Sequence, residues 1–388
     1  MSSIFRFGLI YAAIYTVNGA STPYFPVWLH HRGMSGQQIG LILALPMILQ
    51  IVTAPGLAVW ADGFRLRRTP IVLLGLGAAA GFLALIPNWG FWGFLGLWFA
   101  AASLFMGMSP LTDVIALSRA RREGFNFGLP RGMGSLAYIF TAVIVGSLIA
   151  RLSPEWVLGW MIVVTLVAAA VCLVVMAPDT VLGTEPPASL GERLSGLKSL
   201  LMDRRFMLAM VSAGLIQSAH AFYYGFSALV WKGQGLPENL TGLLWGTGVV
   251  VEVGFLWFMA PWQRRMGPRN LLLLGGVGSI IRWTALAFSP PLWVLFPLQA
   301  LHTFSFVATF LASIQLAERL SGPRTASSAQ LINAAMQGGI LCGLAMIVSG
   351  RLFDAVGARG YLAMTLMAAV GLVGALQLSK EKDLEAYP

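Results

Sequence analysis

Residues 177–205 read APDTVLGTEPPASLGERLSGLKSLLMDRR and form the one long polar stretch in a chain otherwise dominated by apolar runs. The stretch is rich in Pro, Gly and Ser, and a helix is expected only near its end, over residues 190–202. Six apolar runs long enough to cross a membrane precede it, and six follow it. The polar stretch therefore predicts a linker between two halves of six helices each.

The apolar runs on both sides of the linker have the length that a lipid bilayer requires. About 20 residues, at about 1.5 Å per residue, cross roughly 30 Å of hydrocarbon. Of the 388 residues, 57% are hydrophobic and 10% are charged, which leaves too little polar surface for a soluble globule of this size. We therefore expect an all-α membrane protein with twelve spans, near residues 7–29, 37–60, 70–87, 89–117, 129–151, 155–177, 205–230, 239–262, 270–288, 291–316, 327–350 and 358–379.

Lysine and arginine are distributed unevenly between alternate loops. If both termini are cytoplasmic, the inner loops and tails hold 18 of these residues and the outer loops hold 5. This bias predicts that both termini lie inside. It also accounts for the formal net charge of +10 without a nucleic-acid partner, because inner-loop cations face anionic lipid headgroups.

The two halves predict the domain organisation. We expect an N-terminal six-helix bundle over residues 1–177, a cytoplasmic linker over 178–204 and a C-terminal six-helix bundle over 205–388. Repeated halves of this kind place a substrate site between them near the bilayer midplane.

Other chemistries leave no trace in the sequence. Cys172 and Cys342 both lie inside predicted spans, one in each half, and are expected to be packed thiols. No spacing resembles a zinc site, and no glycine loop of the phosphate-binding type is present. We expect no metal and no cofactor. An enzyme or a receptor is disfavoured too, because no nucleophile with an adjacent base stands out.

Several short motifs carry a family resemblance. The loop after the second predicted span, WADGFRLRR at residues 60–68, resembles the loop 2–3 signature of the major facilitator superfamily. The motifs PLTD, QSAHAFYYGFSALVW, GVVVEV and IIRW resemble the 3-phenylpropionate permease family, which is akin to oligosaccharide and nucleoside proton symporters. The resemblance implies two pseudo-symmetric six-helix bundles, alternating access and a bacterial inner (cytoplasmic) membrane location. It also implies a gating role for the loop residues Asp62, Arg65, Arg67 and Arg68, although the three arginines could equally serve only to orient the chain in the membrane.

An acidic and a basic residue are predicted to meet within the first half. Arg131 lies near the start of the fifth span, in FGLPRGMGSLAY at residues 127–138, and Asp113 lies near the end of the fourth. Two antiparallel neighbours joined by a short loop would bring both side chains to the same depth, so we expect them to pair. Their spacing resembles the galactoside permeases, where the equivalent pair holds the sugar. The pair either fastens two helices or takes part in substrate binding or gating, as intramembrane charges commonly do.

A second group of charged and titratable residues is predicted near the midplane of the second half. It comprises Glu252, Arg282, His302 and His220. Moving an arginine toward or away from a carboxylate makes that carboxylate release or bind a proton, and histidine titrates near neutral pH. We predict Glu252 as the main proton site, Arg282 as its counter-ion and His302 as a modulator. The two histidines could equally be packing residues.

A substrate that is a carboxylate anion would require a cation, and Arg131 and Arg282 are the cations predicted inside the membrane. The arginine fork can hold a carboxylate with two hydrogen bonds. The predicted substrate-binding residues are Asp113, Arg131, Arg282, Asn18, Gln50, Tyr138, Gln217, Tyr223, Tyr224 and Trp245.

These observations favour a monomeric proton symporter that imports a small organic acid. An aromatic carboxylate such as phenylpropionate is one candidate substrate. Its partners would be the small-molecule substrate, protons and the lipid bilayer. Uptake of a neutral sugar or nucleoside is the alternative within transport. Drug efflux by proton antiport is less favoured, because the fifth span lacks the Gly-Pro motif of that branch.

Overall fold

The computed structural model describes residues 2–177, 190–322 and 325–378 of the chain, and most of them are helical. The first half forms α1 (Ser3–His31), α2 (Gly36–Asp62), α3 (Arg68–Ala84), α4 (Gly90–Glu123), α5 (Gly128–Arg151) and α6 (Glu155–Val175). Residues 178–189 of the predicted linker lie outside the described part of the chain. The end of the linker is helical, as predicted.

The second half consists of shorter helical pieces. They are α7 (Leu190–Met202), α8 (Arg204–Ser218), α9 (Ala221–Gly233), α10 (Glu238–Phe258), α11 (Ala260–Ala287), α12 (Leu292–Ala300), α13 (Thr309–Arg319), α14 (Ala326–Ala334), α15 (Ile340–Val356) and α16 (Tyr361–Leu378). Two π-helical segments, Thr303–Ala308 and Ala335–Gly339, join α12 to α13 and α14 to α15. The break between α8 and α9 and the π segments interrupt three membrane spans. Such interruptions are frequent at functional sites.

The helices have the length and composition of membrane spans. Within the described residues, nine stretches are long and apolar enough to cross a bilayer, and one of them, Ser328–Leu378, is 51 residues long and contains both α15 and α16. The predicted all-α, multi-span architecture is confirmed. The order of the helices is consistent with twelve crossings, and that exact number stays a prediction.

Helix ends are set by local chemistry. Ser35 and Gln38 form a capping box at the start of α2. The α4 helix continues to Glu123, six residues past the predicted end of its span, and stops at Gly124, which has φ 71° and adopts the left-handed conformation that glycine favours. Asp113 therefore lies ten residues from the end of the helix, which continues beyond the span that the sequence predicted.

The chain divides into two compact units, whose bounds are Met1–Thr184 with Gly225–Gly246 for unit 1, and Glu185–Tyr224 with Thr247–Pro388 for unit 2. In unit 1, α1 packs against α5 and α6, and α3 packs against α4 and α6. In unit 2, α8 packs against α13 and α16, and α11 packs against α16. The predicted bundle boundaries at residues 177 and 205 stay a prediction.

Each unit has its own apolar core. In unit 1 the ring of Phe25 is stacked on Trp98 with centroids 3.7 Å apart, and Trp28 meets Phe94 edge to face at 5.3 Å. In unit 2 a core of buried side chains that includes Phe206 and Met210 on α8 extends to Leu316 on α13. These cores fix the helices that carry the polar groups described next.

Candidate functional site

The predicted pair of Asp113 and Arg131 is present in unit 1. Arg131 Nη1 donates to both carboxylate oxygens of Asp113, at 3.2 and 3.0 Å. The Arg131 side chain is 44% exposed and that of Asp113 is 32% exposed. Since both contacts use Nη1, the other two nitrogens of the guanidinium are not bonded to Asp113. The role of the pair in substrate binding stays a prediction.

A tyrosine that sequence reasoning did not connect with this pair completes it. The hydroxyl of Tyr11, on α1, donates to Asp113 Oδ1 over 2.6 Å, and Tyr11 itself is fully buried. The carboxylate thus receives one neutral and one charged donor from two different helices. The sequence separation of 102 residues explains why no local pattern indicated the contact.

A buried cluster in unit 2 surrounds Arg282 on α11. Its guanidinium donates to three neutral acceptors: His302 Nδ1 at 3.0 Å, Ser305 Oγ at 3.3 Å and Gln299 Oε1 at 2.8 Å. Gln299 Oε1 also accepts from the Tyr223 hydroxyl at 2.9 Å. Arg282 and Gln299 are both 0% exposed. We call these five residues, together with His220 and Glu252, the Arg282 cluster.

Two aromatic faces cover the guanidinium. The central carbon of Arg282 lies 4.5 Å from the ring centroid of Tyr223 and 4.6 Å from that of Trp283. Cation–π contacts of this kind stabilise a desolvated cation by about 2 kcal/mol or more. The ring of Trp283 is in turn stacked on Tyr361, with the two planes 4° apart. The aromatic enclosure holds the cation in place.

His302 lies between Arg282 and Glu252. Because arginine can only donate, Nδ1 of His302 must be the acceptor, so the ring proton of the neutral imidazole is on Nε2. That nitrogen is 3.7 Å from Glu252 Oε2. The sequence predicted a counter-ion pair with His302 beside it. In the structure the imidazole of His302 is hydrogen-bonded to the guanidinium through Nδ1, and its Nε2 lies 3.7 Å from the carboxylate.

His220 extends the cluster from the break between α8 and α9. Its Nδ1 donates to the Gln217 backbone carbonyl at 2.8 Å, which leaves Nε2 to accept at 3.1 Å from Ser305 Oγ. Tyr224 is stacked against the His220 ring at 5.7 Å. The ring of His220 therefore gives the Gln217 carbonyl a donor besides the backbone N–H of His220, and it links the helix break to the Arg282 cluster.

The other predicted substrate-binding residues divide between the two units. Gln217 is 7% exposed and lies beside the cluster in unit 2. Trp245 belongs to unit 1, where its indole nitrogen donates to Ser227 Oγ at 3.2 Å. Half-buried positions elsewhere in unit 1 are occupied by Asn18 on α1, Gln50 on α2 and Tyr138 on α5. These four residues of unit 1 thus lie on four different helices, whereas Gln217 lies with the other predicted residues of unit 2.

The predicted gating residues lie at the connection between α2 and α3. Asp62 is the last residue of α2 and is exposed, and Arg65 is exposed in the loop. Arg67 is the N-cap residue of α3. Arg68 donates to the backbone carbonyls of Leu173 and Met176, at 3.0 and 3.3 Å. Arg68 therefore caps the C-terminus of α6, a structural role that the sequence did not indicate.

Long apolar helices with a buried charged cluster in the second half are typical of multi-pass membrane transporters. Residues 4–363 match the model of the MFS_1 like family. The chain belongs to this family of the major facilitator superfamily, whose members are transporters.

Two named relatives and one solved structure match most of the chain's length. The "Probable 3-phenylpropionic acid transporter" of Escherichia coli (strain K12) is 26% identical over 357 residues, covering 90% of this chain and 91% of the relative. The "Maltose permease" of Geobacillus stearothermophilus is 28% identical over 391 residues, covering 97% and 94%. The crystal structure of the nucleoside transporter NupG superposes with a TM-score of 0.81 at 15% identity, covering 98% of this chain and 100% of that one. That likeness shows a common fold.

Proposed function

We propose that the protein is a proton-coupled symporter that imports a small organic acid, such as the aromatic carboxylate 3-phenylpropionate, by alternating access. The observation that carries the proposal is the path from Arg282 through His302 to Glu252. It links a buried cation to a carboxyl group. In the same unit, one helix is interrupted at His220 and another directly after His302.

Glu252 is the proton-binding group in this proposal. Its side chain is 21% exposed and that of His302 is 11% exposed, whereas Arg282 and His220 are 0% exposed. Glu252 is thus the more exposed end of this path, and His302 Nε2 lies 3.7 Å from its carboxylate. Any rearrangement that weakens the hold of Arg282 on His302 changes the charge felt by Glu252, and so couples proton release to the conformation.

Arginine chemistry supports an acidic substrate. The Nη2 and Nε atoms of Arg131, which are not bonded to Asp113, can donate two parallel hydrogen bonds to a carboxylate. Among the described residues, Arg282 Nε and Gln299 Nε2 in the Arg282 cluster and Nε1 of the adjoining Trp283 are buried without a hydrogen-bond acceptor. Unsatisfied buried donors are costly, and a carboxylate would satisfy them. The relative named for phenylpropionic acid makes an aromatic acid the specific choice.

Uptake of a neutral sugar or nucleoside is the second candidate function. The observation that favours it is the pair of acceptor oxygens on Asp113, held by Tyr11 and Arg131, because a carboxylate of this kind accepts from sugar hydroxyls. The name of the maltose relative supports the same class of substrate.

Glu252→Gln tests the coupling. Glutamine keeps the shape of the side chain but cannot carry the proton, so accumulation of substrate against a gradient should be abolished while exchange across the membrane continues. The measurement is uptake and exchange of labelled 3-phenylpropionate in proteoliposomes with an imposed pH gradient.

Glu123→Gln is the matched control, since it neutralises a glutamate at the end of α4, away from the Arg282 cluster. It should accumulate substrate as the unmodified protein does. Full accumulation by Glu252→Gln would remove this residue from the coupling mechanism.

A further inference from the structure

A cleft in unit 2 lies where the beginning of α8 meets the end of α16. Its volume is about 450 Å³, and it is lined by Arg204, Arg205, Leu208, Gln377 and Leu378. Both arginines are exposed. The cleft therefore combines two cationic side chains and an amide with apolar walls, outside the Arg282 cluster.

The cations of this cleft are its side chains rather than the helix terminus. Asp203 caps α8, where its Oδ1 accepts from the backbone N–H groups of Arg205 and Phe206 at 2.8 and 3.0 Å. The first free N–H groups of the helix are thus already satisfied by an anion. An anionic ligand here would be held by the guanidinium groups, which suit a phosphate because of their planar fork.

Two exposed apolar side chains at the end of α7 precede the arginine pair in the chain. On α7, Leu200 is buried in the core of unit 2, which fixes the helix, while Leu201 is 47% exposed and Met202 is 76% exposed. Lys198, one turn earlier, is exposed as well. A helix with one face docked, cations nearby and large apolar side chains exposed is typical of the interface between headgroups and acyl chains.

We propose that this corner of α7, α8 and α16 binds an anionic phospholipid. The phosphate lies against Arg204 and Arg205, the Gln377 amide can donate to a headgroup oxygen, and an acyl chain packs on Leu201 and Met202. Basic pockets between membrane helices bind phosphate headgroups by the same chemistry. The inference requires only a membrane-embedded chain and is independent of the proposed symport.

The test measures lipid binding to the purified full-length protein in detergent. Phosphatidylglycerol should raise the melting temperature and be retained in native mass spectrometry, whereas phosphatidylcholine with the same acyl chains should do so much less. Arg204→Gln with Arg205→Gln should lower the affinity for phosphatidylglycerol about thirtyfold, because each cation near an anionic membrane surface raises the affinity roughly fivefold.

Two further pairs of substitutions make the result specific. Arg121→Gln with Arg122→Gln removes the same charge from exposed positions at the end of α4, and should leave binding within threefold of the unmodified protein. Arg204→Lys with Arg205→Lys keeps the charge and should retain most of the binding. An equal loss in the α4 control would show general charge attraction and overturn the site.

A separate experiment distinguishes a phospholipid headgroup from a free phosphate compound as the ligand of the cleft. Leu201→Ser with Met202→Ser should weaken phosphatidylglycerol binding at least fivefold, because it removes the contact with the acyl chain. Glycerol 3-phosphate at millimolar concentration should leave the melting temperature unchanged. A full shift with glycerol 3-phosphate, together with undiminished lipid binding by the serine variant, would show a free-phosphate site and overturn the lipid assignment.

Discussion

Gln299 is the residue that fixes the geometry of the buried cation. One oxygen, Oε1, accepts from Arg282 Nη2 at 2.8 Å and from the Tyr223 hydroxyl at 2.9 Å. The sequence predicted that Arg282 lies inside a span, but it did not predict the partner Gln299, because the two residues belong to different helices and no local pattern joins them.

Gln299→Leu should destabilise the protein by about 1.5–3 kcal/mol, the contribution of a hydrogen bond to a charged group. Gln299→Glu should fold at least as well, because it offers Arg282 a carboxylate, but it should weaken pH-driven accumulation, since Arg282 would be drawn away from His302. Thermal unfolding and proteoliposome uptake measure the two effects.

Gln37→Leu, at an exposed position in the first turn of α2, is the control for the loss of a polar side chain. It should change neither stability nor uptake appreciably. If Gln299→Glu accumulated substrate as efficiently as the unmodified protein, the link between Arg282 and His302 would have no part in coupling.

At the scale of the helices, the close approach of α1 and α5 depends on glycine. A Cβ atom at Gly19 would lie 2.6 Å from the Tyr138 carbonyl oxygen and 2.9 Å from Thr141 Cβ. Because the nearest atom belongs to the backbone, no side chain can simply rotate away. Gly19→Ala should therefore destabilise the protein by about 1–3 kcal/mol, the usual cost of overpacking.

Gly159→Ala is the matched control on α6, since a Cβ atom there meets nothing within 4 Å. It should leave stability unchanged or raise it by about 0.5–1 kcal/mol, because alanine has the better helix propensity. The melting temperatures of the two variants give the comparison. Equal stability of both would show that α1 and α5 can separate at little cost.

The sequence predicted the elements better than their interruptions. Apolar runs and basic loops located the spans, and the short loop between α4 and α5 located the Asp113–Arg131 pair, because both signals are local. The π segment beside His302 and the Tyr11 contact were not predicted. They depend on packing between helices that are distant in sequence, which hydropathy along one helix does not record.

The sequence predicted which residues of the Arg282 cluster lie together, but not which of them are in contact. In unit 2 the predicted residues Glu252, Arg282, His302 and His220 do come together. The sequence could predict this because the depth of each residue along its helix follows from a rise of about 1.5 Å per residue. The order of contacts among them could not, since depth says nothing of the direction in which a side chain points. His302 therefore occupies the place between cation and acid that the sequence left open.

For the whole molecule, the charge moved in one transport cycle distinguishes the two candidate substrate classes. A monovalent carboxylate carried with one proton transfers no net charge, whereas a neutral sugar or nucleoside carried with one proton transfers one positive charge. A charge moved across 100 mV corresponds to about 2.3 kcal/mol, or roughly fiftyfold accumulation. The membrane potential should thus drive uptake of a neutral substrate and be nearly irrelevant to uptake of an acid.

We expect 3-phenylpropionate to accumulate in proteoliposomes under an imposed pH gradient and to show no accumulation under a potassium diffusion potential alone. The amide of the same acid, which matches its shape but lacks its charge, should not be transported appreciably, because Arg131 and Arg282 would have no carboxylate to bind. Maltose and a nucleoside, tested in the same vesicles, provide the comparison. Accumulation of either neutral compound under the potential, with no uptake of the acid, would overturn the organic-acid assignment and establish sugar or nucleoside symport in its place, while the fold and the Glu252 coupling site would stand.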